Sequence, residues 1–347
     1  MKKTKQLFIG DVPIGGGAPV SVQSMGNRNP HDRDAILTQI HELKEAECEI
    51  VRLAIPDEEA AKVFAEVKKV SPLPIIADIH FRHQLALSAL SAGADGLRIN
   101  PGNIGSREGV EKIVKSAKER SVPIRIGVNA GSLSIEKVDK HGGPTVEAMV
   151  ESALEHIALL EELDFDLIKV SIKASDVNKT VDAYRKLSEK TDYPLHVGIS
   201  EAGSAFSGTI KSSIGIGILL HEGIGDTIRV SLTADPVLEV KTAYEILKDL
   251  DIRRISPEVI SCPTCGRCEI DLIKISEAAE KAIANSKKPV KVAIMGCVVN
   301  GPGEAREADI GIAGGDGCGV IFKHGKIIRK EPEDKLYSAL MEELEKL

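Results

Sequence analysis

Eight short runs rich in Val and Ile recur along the first two-thirds of the chain, each followed by a polar loop and then an amphipathic stretch of helical length. They fall at 18–25, 49–56, 74–81, 95–102, 123–131, 166–175, 195–203 and 226–236, with starts about 21 to 43 residues apart. Stretches such as Ala35–Ala46, Val146–Leu160 and Val237–Leu247 carry apolar residues at helical spacing between them. Eight strand–helix units in about 235 residues predict a (β/α)8 TIM barrel, with a doubly wound open sheet as the competing arrangement. The leading KQLFIGDVPIGGG reads as a hairpin able to plug a barrel floor. The rhythm breaks near Asp249–Pro257, so residues 1–250 are expected to form the barrel and 251–347 a separate small α/β domain. In that domain the pattern predicts a helix over Ile270–Asn285, strands near Pro289–Met295, Ala308–Ala313 and Gly319–Lys323, and a closing helix from Glu333 to Leu347.

Composition removes several function classes. The net charge is −7, aromatic residues make up 3% and tryptophan is absent, which argues against a nucleic-acid surface or base-stacking platform. No run reaches the roughly 18 apolar residues of a membrane span. The first residues lead into LFIG rather than a signal-peptide core, so a cytoplasmic location is expected. Six cysteines in such a chain suggest metal ligands, reactive thiols or small buried hydrophobes rather than a disulfide framework.

Five of the eight strands place a cation between two aliphatic residues: Arg52, Arg98, Arg125, Lys169 and Arg229. Side chains alternate across a strand, so if the aliphatic neighbours pack against the helices these cations point into the barrel. Buried charge without a partner costs several kcal/mol per ion, and five inward cations together call for an anion such as a di- or polyphosphate. Taken singly, each could instead be a structural pair with Asp78, His196 or Glu201. The strand ends add Asp78, His80, Asn100, Asn129, Lys173, Glu201 and Ser231 on the face where barrels carry their sites. His80 and His196 are each equally readable as hydrogen-bonded structural residues.

The segment Cys262-Pro263-Thr264-Cys265-Gly266-Arg267-Cys268 sets two thiols on one tight turn, as zinc ribbons and iron–sulfur sites both require. Cys297 follows in MGCVVNGPGE, a strand ending in a sharp turn that also holds Glu304. Spacing leaves the ligand set open: Cys268 and Cys318 are also available, and a closed four-cysteine zinc site competes. Lys287, Lys288 and Lys291 read either as a docking patch for an acidic partner or as a solvated lysine run.

Together, CPTCGRC, MGCVVNGPGEA, ADIHF, LRINPGNIG, PIRIGVNAGSL and GISEAG closely resemble the 4-hydroxy-3-methylbut-2-enyl diphosphate synthases, iron–sulfur enzymes of the non-mevalonate isoprenoid pathway. The likeness runs through both domains and matches the short bacterial form. It implies a [4Fe–4S] cluster on Cys262, Cys265, Cys297 and Glu304, the oxygen ligand leaving one iron able to exchange it for a substrate oxygen. It implies reductive opening and dehydration of 2-C-methyl-D-erythritol 2,4-cyclodiphosphate, with electrons from reduced flavodoxin or ferredoxin. The strand cations, with Asn100, Asn129, Lys173, His196 and Ser231, would hold substrate, while Asp78, His80 and Glu201 would position it and deliver protons. A homodimer in which one cluster domain caps the partner's barrel is implied as well. Two rivals remain: a phosphate-binding barrel transferase with a structural zinc, and a non-catalytic iron–sulfur sensor.

Overall fold

The computed structural model describes residues 2–283, 288–297 and 306–347. They fall into two compact units, 1–253 and 254–347. In the first, a hairpin of β1 (Leu7–Ile9) and β2 (Val12–Ile14) precedes an eight-stranded parallel sheet. Its strands are β3 (Ser21–Met25), β4 (Ile50–Ala54), β5 (Ile75–Asp78), β6 (Gly96–Ile99), β7 (Ile124–Asn129), β8 (Ile168–Lys173), β9 (His196–Val197) and β10 (Thr227–Ile228). They run in the order β8-β7-β6-β5-β4-β3-β10-β9, and a single parallel bridge, Val170 to Leu195, spans the remaining gap. All eight lie inside the runs read from the sequence. The sheet is a nearly closed barrel, and the open-sheet alternative falls away.

The outer shell comprises α1 (Arg33–Glu45), α2 (Glu58–Val70), α3 (His83–Ser91), α4 (Arg107–Glu119), α5 (Ile135–His141), α6 (Val146–Glu162), α7 (Val177–Ser188), α8 (Ala205–His221) and α9 (Pro236–Asp249). Side-chain caps start many of them at the turn from a strand. Asp32, Asp57, Ser106, Thr145 and Asp176 each accept a backbone N–H of the first turn, and Asp235 does so ahead of Pro236. Where a capped helix follows a strand, the cap fixes the turn that leaves the strand's C-terminal end. The hairpin buries Leu7, Ile9 and Ile14 against Ile50 and Ile76, closing one side of the barrel floor.

The second unit is a five-stranded sheet in the order β11 (Glu258–Ser261), β12 (Lys291–Met295), β13 (Ile310–Gly315), β14 (Cys318–Lys323) and β15 (Lys326–Pro332). The first three strands are parallel and the last two antiparallel. Two helices, α10 (Leu272–Ile283) and α11 (Glu333–Glu345), pack Leu272, Ile275, Leu336 and Leu340 onto Val292, Ile294, Ile310 and Ile312. The pattern reading misses β11 and β15, which are the two sheet edges. Edge strands bury little, so EVIS and KIIRKEP carry no strong alternation of apolar residues. No described helix is long and apolar enough to cross a membrane.

Candidate active site

The inward positions of the barrel follow from strand register. Arg98 lies beside Asp78 and Arg125, and Arg125 lies beside Lys169, each across one backbone ladder. A cavity of about 180 Å³ opens among them, lined by Arg52, Arg98, Arg125, Asn129, Ser171, Lys173, Ser200, Glu201, Arg229 and Ser231. Thus four arginines and one lysine from β4, β6, β7, β8 and the segment after β10 face one small volume. Outward aliphatic neighbours such as Leu97, Ile99, Ile124 and Ile126 are fully buried against the shell. Alternation puts the charge inside.

The acidic groups present only partly offset that charge. Asp78 receives Arg98 at 3.1 Å and lies 3.5 Å from Arg52 and from His80 Nε2. Burial pushes its carboxyl up, but Arg52, the contact with His80 and Arg98 outweigh it and hold it well below the usual range. An ionised carboxylate between two guanidiniums has no proton to give at neutral pH. Burial draws Arg52 down to about 10 against the pull of Asp78, with Arg229 and Arg98 adding repulsion. For Arg125, burial and then Arg52 and Arg98 press the same way, and its Nε and one terminal nitrogen have no partner. Guanidinium holds its proton too tightly to discharge. The strain is therefore expressed as a demand for a bound anion.

Two glycines make room for these groups. A Cβ at Gly127 would stand 2.5 Å from Arg98 Nε, and one at Gly198 would stand 2.8 Å from Lys173 Nζ and 2.3 Å from the Arg229 carbonyl. Arg229 finds its counter-charge in Glu239, buried in the first turn of α9. Glu239 stands 3.4 Å from Arg229, accepts the Leu232 N–H at 2.9 Å and accepts Ser24 Oγ at 3.1 Å. Glu201 stands at the pocket rim with φ 52°, a left-handed conformation that costs a non-glycine residue about 1 kcal/mol or more. Such strain persists where the surroundings over-determine it, commonly at working sites.

Three residues expected to face substrate do not line the cavity. Asn100 turns its side chain to accept the Gly102 N–H at 3.2 Å, capping the short turn Pro101–Asn103. Lys169 and His196 are fully buried, and among the described residues neither Lys169 Nζ nor either His196 ring nitrogen has a hydrogen-bond partner. His80 stands half-exposed beside Asp78. Ser171, Ser200, Glu239 and the two glycines went unread in the sequence. Counting by twos back from Lys173 and forward from His196 reaches Ser171, Gly198 and Ser200, whereas Glu239 is indistinguishable from any first-turn helical glutamate.

In the second unit, parallel pairing sets Ser261 beside Ile294, so Cys262 and Cys297 emerge from adjacent strand ends. The Gly296 N–H donates to Cys262 Sγ at 3.2 Å, and the Cys268 N–H donates to the Cys265 carbonyl at 2.9 Å, forming a tight turn. A Cβ at Gly296 would come within 2.6 Å of Cys268 Sγ, so this close approach requires glycine. Cys297 is buried, Cys262 half-buried and Cys265 exposed. Thiols around a strand end with a backbone N–H aimed at sulfur are the donor chemistry that iron–sulfur clusters use. Cys268 differs in one contact: its thiol donates to the Ile270 carbonyl at 3.2 Å, whereas it and Cys262 both pack on the helix–sheet core. Cys318 begins β14 opposite Gly315. Cys48 is buried in the barrel shell, where burial pushes its thiol up to about 12. Glu304 and Lys287 lie outside the described residues. Among the described residues, no three His, Cys, Asp or Glu side chains converge on a single-ion site.

Comparison with known proteins bears on both units. The family model described as the GcpE TIM-barrel domain matches residues 4–244, and that of the GcpE protein C-terminal domain matches 258–346. A protein of Geobacter sulfurreducens named 4-hydroxy-3-methylbut-2-en-1-yl diphosphate synthase (flavodoxin) is 59% identical over 345 residues, 99% of this chain and 98% of that one. One of the same name from Lawsonia intracellularis is 57% identical over 347 residues, 100% of this chain and 97% of that one. Among solved structures, the Yersinia pestis dihydropteroate synthase superposes with a TM-score of 0.52 at 12% identity, covering 71% of this chain and 97% of that one. That likeness speaks for the barrel fold alone.

Proposed function

The chain belongs to the GcpE family, and from that premise we propose how its own residues carry the work. The protein is an oxidoreductase of isoprenoid precursor synthesis. It opens 2-C-methyl-D-erythritol 2,4-cyclodiphosphate reductively, with loss of water, to 4-hydroxy-3-methylbut-2-enyl diphosphate. The observation that carries the assignment of roles is the cavity ringed by Arg52, Arg98, Arg125, Lys173 and Arg229. A cyclic diphosphate brings the anion these side chains lack, and the breaking carbon–oxygen bond leaves its charge on a phosphate they already grip. Asn129, Ser171, Ser200 and Ser231 offer neutral hydrogen bonds to the sugar-like hydroxyls. Asp78 serves as the anchor that aims Arg52 and Arg98. His80 and Glu201, at the open rim, hold and pass the proton to the departing hydroxyl. Lys169, His196 and Asn100 support the pocket without lining it.

Cys262, Cys265, Cys297 and Glu304 would hold a [4Fe–4S] cluster, and the three described thiols fit that role by their donor chemistry. When bound, the cluster supplies electrons singly and a Lewis-acidic iron. Reduced flavodoxin delivers the electrons, as the relatives' names specify for them, and the work takes place in the cytoplasm. The protein works as a homodimer in which one subunit's second unit caps the partner's barrel. The C-terminal rim of the barrel suits such a cover: Phe81 is 70% exposed and Phe206 80%, both beside strand ends that carry site residues.

Mixing two impaired variants, assayed at substrate well below saturation, tests this arrangement. R125M disables the barrel and C297S the cluster, so a mixed dimer with sites built across subunits has one intact site. Random reassociation then restores roughly a quarter of normal activity, half the dimers being mixed and each having one of two sites whole. No recovery after verified subunit exchange would overturn the shared site.

A further inference from the structure

Half of the barrel floor is apolar, where Ile9 packs on Ile50 and Ile76. The other half is polar and unsatisfied. Lys169 lies there with 0% exposure, and its Nζ has no hydrogen-bond partner among the described residues. Arg125 stands beside it across the β7–β8 ladder. His196, equally buried on β9, has both ring nitrogens unpartnered. Asp226, the carboxylate that acts on Lys169, is already engaged: it accepts Thr4 Oγ1 at 2.7 Å and the Leu195 N–H at 2.8 Å. Lys169 is therefore a basic side chain held below a cluster of cations, without an ion pair among the described residues and two residues below the lining residue Ser171.

We propose that Lys169 is a proton-uptake group, losing its charge in the ligand-free barrel and regaining it when an anionic ligand settles on Arg125 and its neighbours above. This inference rests on the diphosphate reading of the pocket. Its physical basis is burial in a space that water does not reach, to which Arg125 adds repulsion. Burial, then Arg125, draws Lys169 down to about 7, and Asp226 only partly opposes them. The other groups facing it deepen the effect. His196 is forced neutral by burial and by Arg125, Lys173 and Lys169, and burial with Arg125 presses Lys173 down in the same way. A bound diphosphate cancels the repulsion from Arg125, so the ammonium form of Lys169 becomes the favoured one and a proton enters from solvent. Substrate binding thereby carries a proton into the barrel interior before any electron arrives.

Calorimetric titration in buffers of different ionisation enthalpy reads that proton directly, and 2-C-methyl-D-erythritol 2,4-cyclodiphosphate and inorganic diphosphate are the two ligands. At about pH 8 the unaltered protein is expected to take up about half a proton or more per ligand beyond what K169M takes up. K169R is expected to lose the same uptake for the opposite reason, since a guanidinium never discharges. A residue with a merely structural role would change affinity and leave proton uptake unchanged. If both variants bind and take up as many protons as the unaltered protein, the inference falls while the pocket stands. If neither ligand binds the unaltered protein, the substrate reading and this inference fall together.

Discussion

The barrel site hangs from the middle and ends of strands whose backbones are hydrogen-bonded on both sides, whereas the thiol site of the second unit hangs from turns beyond the strand ends. In the barrel, Arg98 and Arg125 are almost wholly buried, and they keep their positions although like charges press on them. In the second unit, Cys265 is exposed and its only described anchor is one backbone turn to Cys268. The contrast teaches where each site stores its selectivity. Repelling cations demand a rigid frame, since loops would relax and let them separate. A cluster supplies its own rigidity, so short turns that present sulfur suffice to receive it.

The largest effect should come from the side with fewest alternatives. Replacing Cys297 with Ser is expected to lower turnover by more than about a hundredfold, beyond the loss from an outer-shell partner. Absorbance near ~400 nm should fall with it, while calorimetry finds cyclodiphosphate affinity unchanged in the barrel. A normal absorbance spectrum in C297S would break the comparison. Next comes R125M, for which affinity for the cyclodiphosphate should fall by about ten- to a hundredfold, as expected for losing a charged hydrogen-bond partner. Thermal denaturation gives the sharper half of that prediction. Because Arg125 is buried among cations, with Nε and one terminal nitrogen unpartnered, R125M should keep or raise the melting temperature. A clear loss of stability would show that the cation is held for structure rather than for the ligand.

Much of this was legible in the chain. Period-two spacing exposes Arg52, Arg98, Arg125 and Arg229 because a cation whose aliphatic neighbours pack outward must point into the barrel. The same rule cannot measure depth. Lys169 and Lys173 are four residues apart on one strand with the same facing, yet one lines the cavity and the other lies buried beneath it. Only the stagger of neighbouring strands decides that height. Glu239 and the turn of Asn100 toward Gly102 went unread for a related reason: their partners, Arg229 and the Gly102 N–H, depend on how a helix start or turn folds back. In the second unit, motif spacing announced thiol chemistry but was silent on which thiols point where.

Cys268 offers the smallest predicted effect and the finest test of that last point. It sits three residues beyond Cys265 in a run where spacing alone makes it as good a ligand as its neighbours. Its sulfur instead donates to the Ile270 carbonyl at 3.2 Å, faces Gly296 and packs on the core beside Leu272 and Ile294. That backbone partner holds the Cys268 sulfur within its own turn, and on that contact we assign Cys268 to packing. C268A is therefore expected to keep the ~400 nm absorbance and turnover within about twofold. It should cost about 1 kcal/mol of stability in the second unit through the lost contacts and hydrogen bond, measurable by denaturant unfolding. C262A differs from it by one turn of chain yet should lose the absorbance. If C268A also loses it, the turn has more freedom than its hydrogen bonds imply, and the division between packing and ligand cysteines must be redrawn.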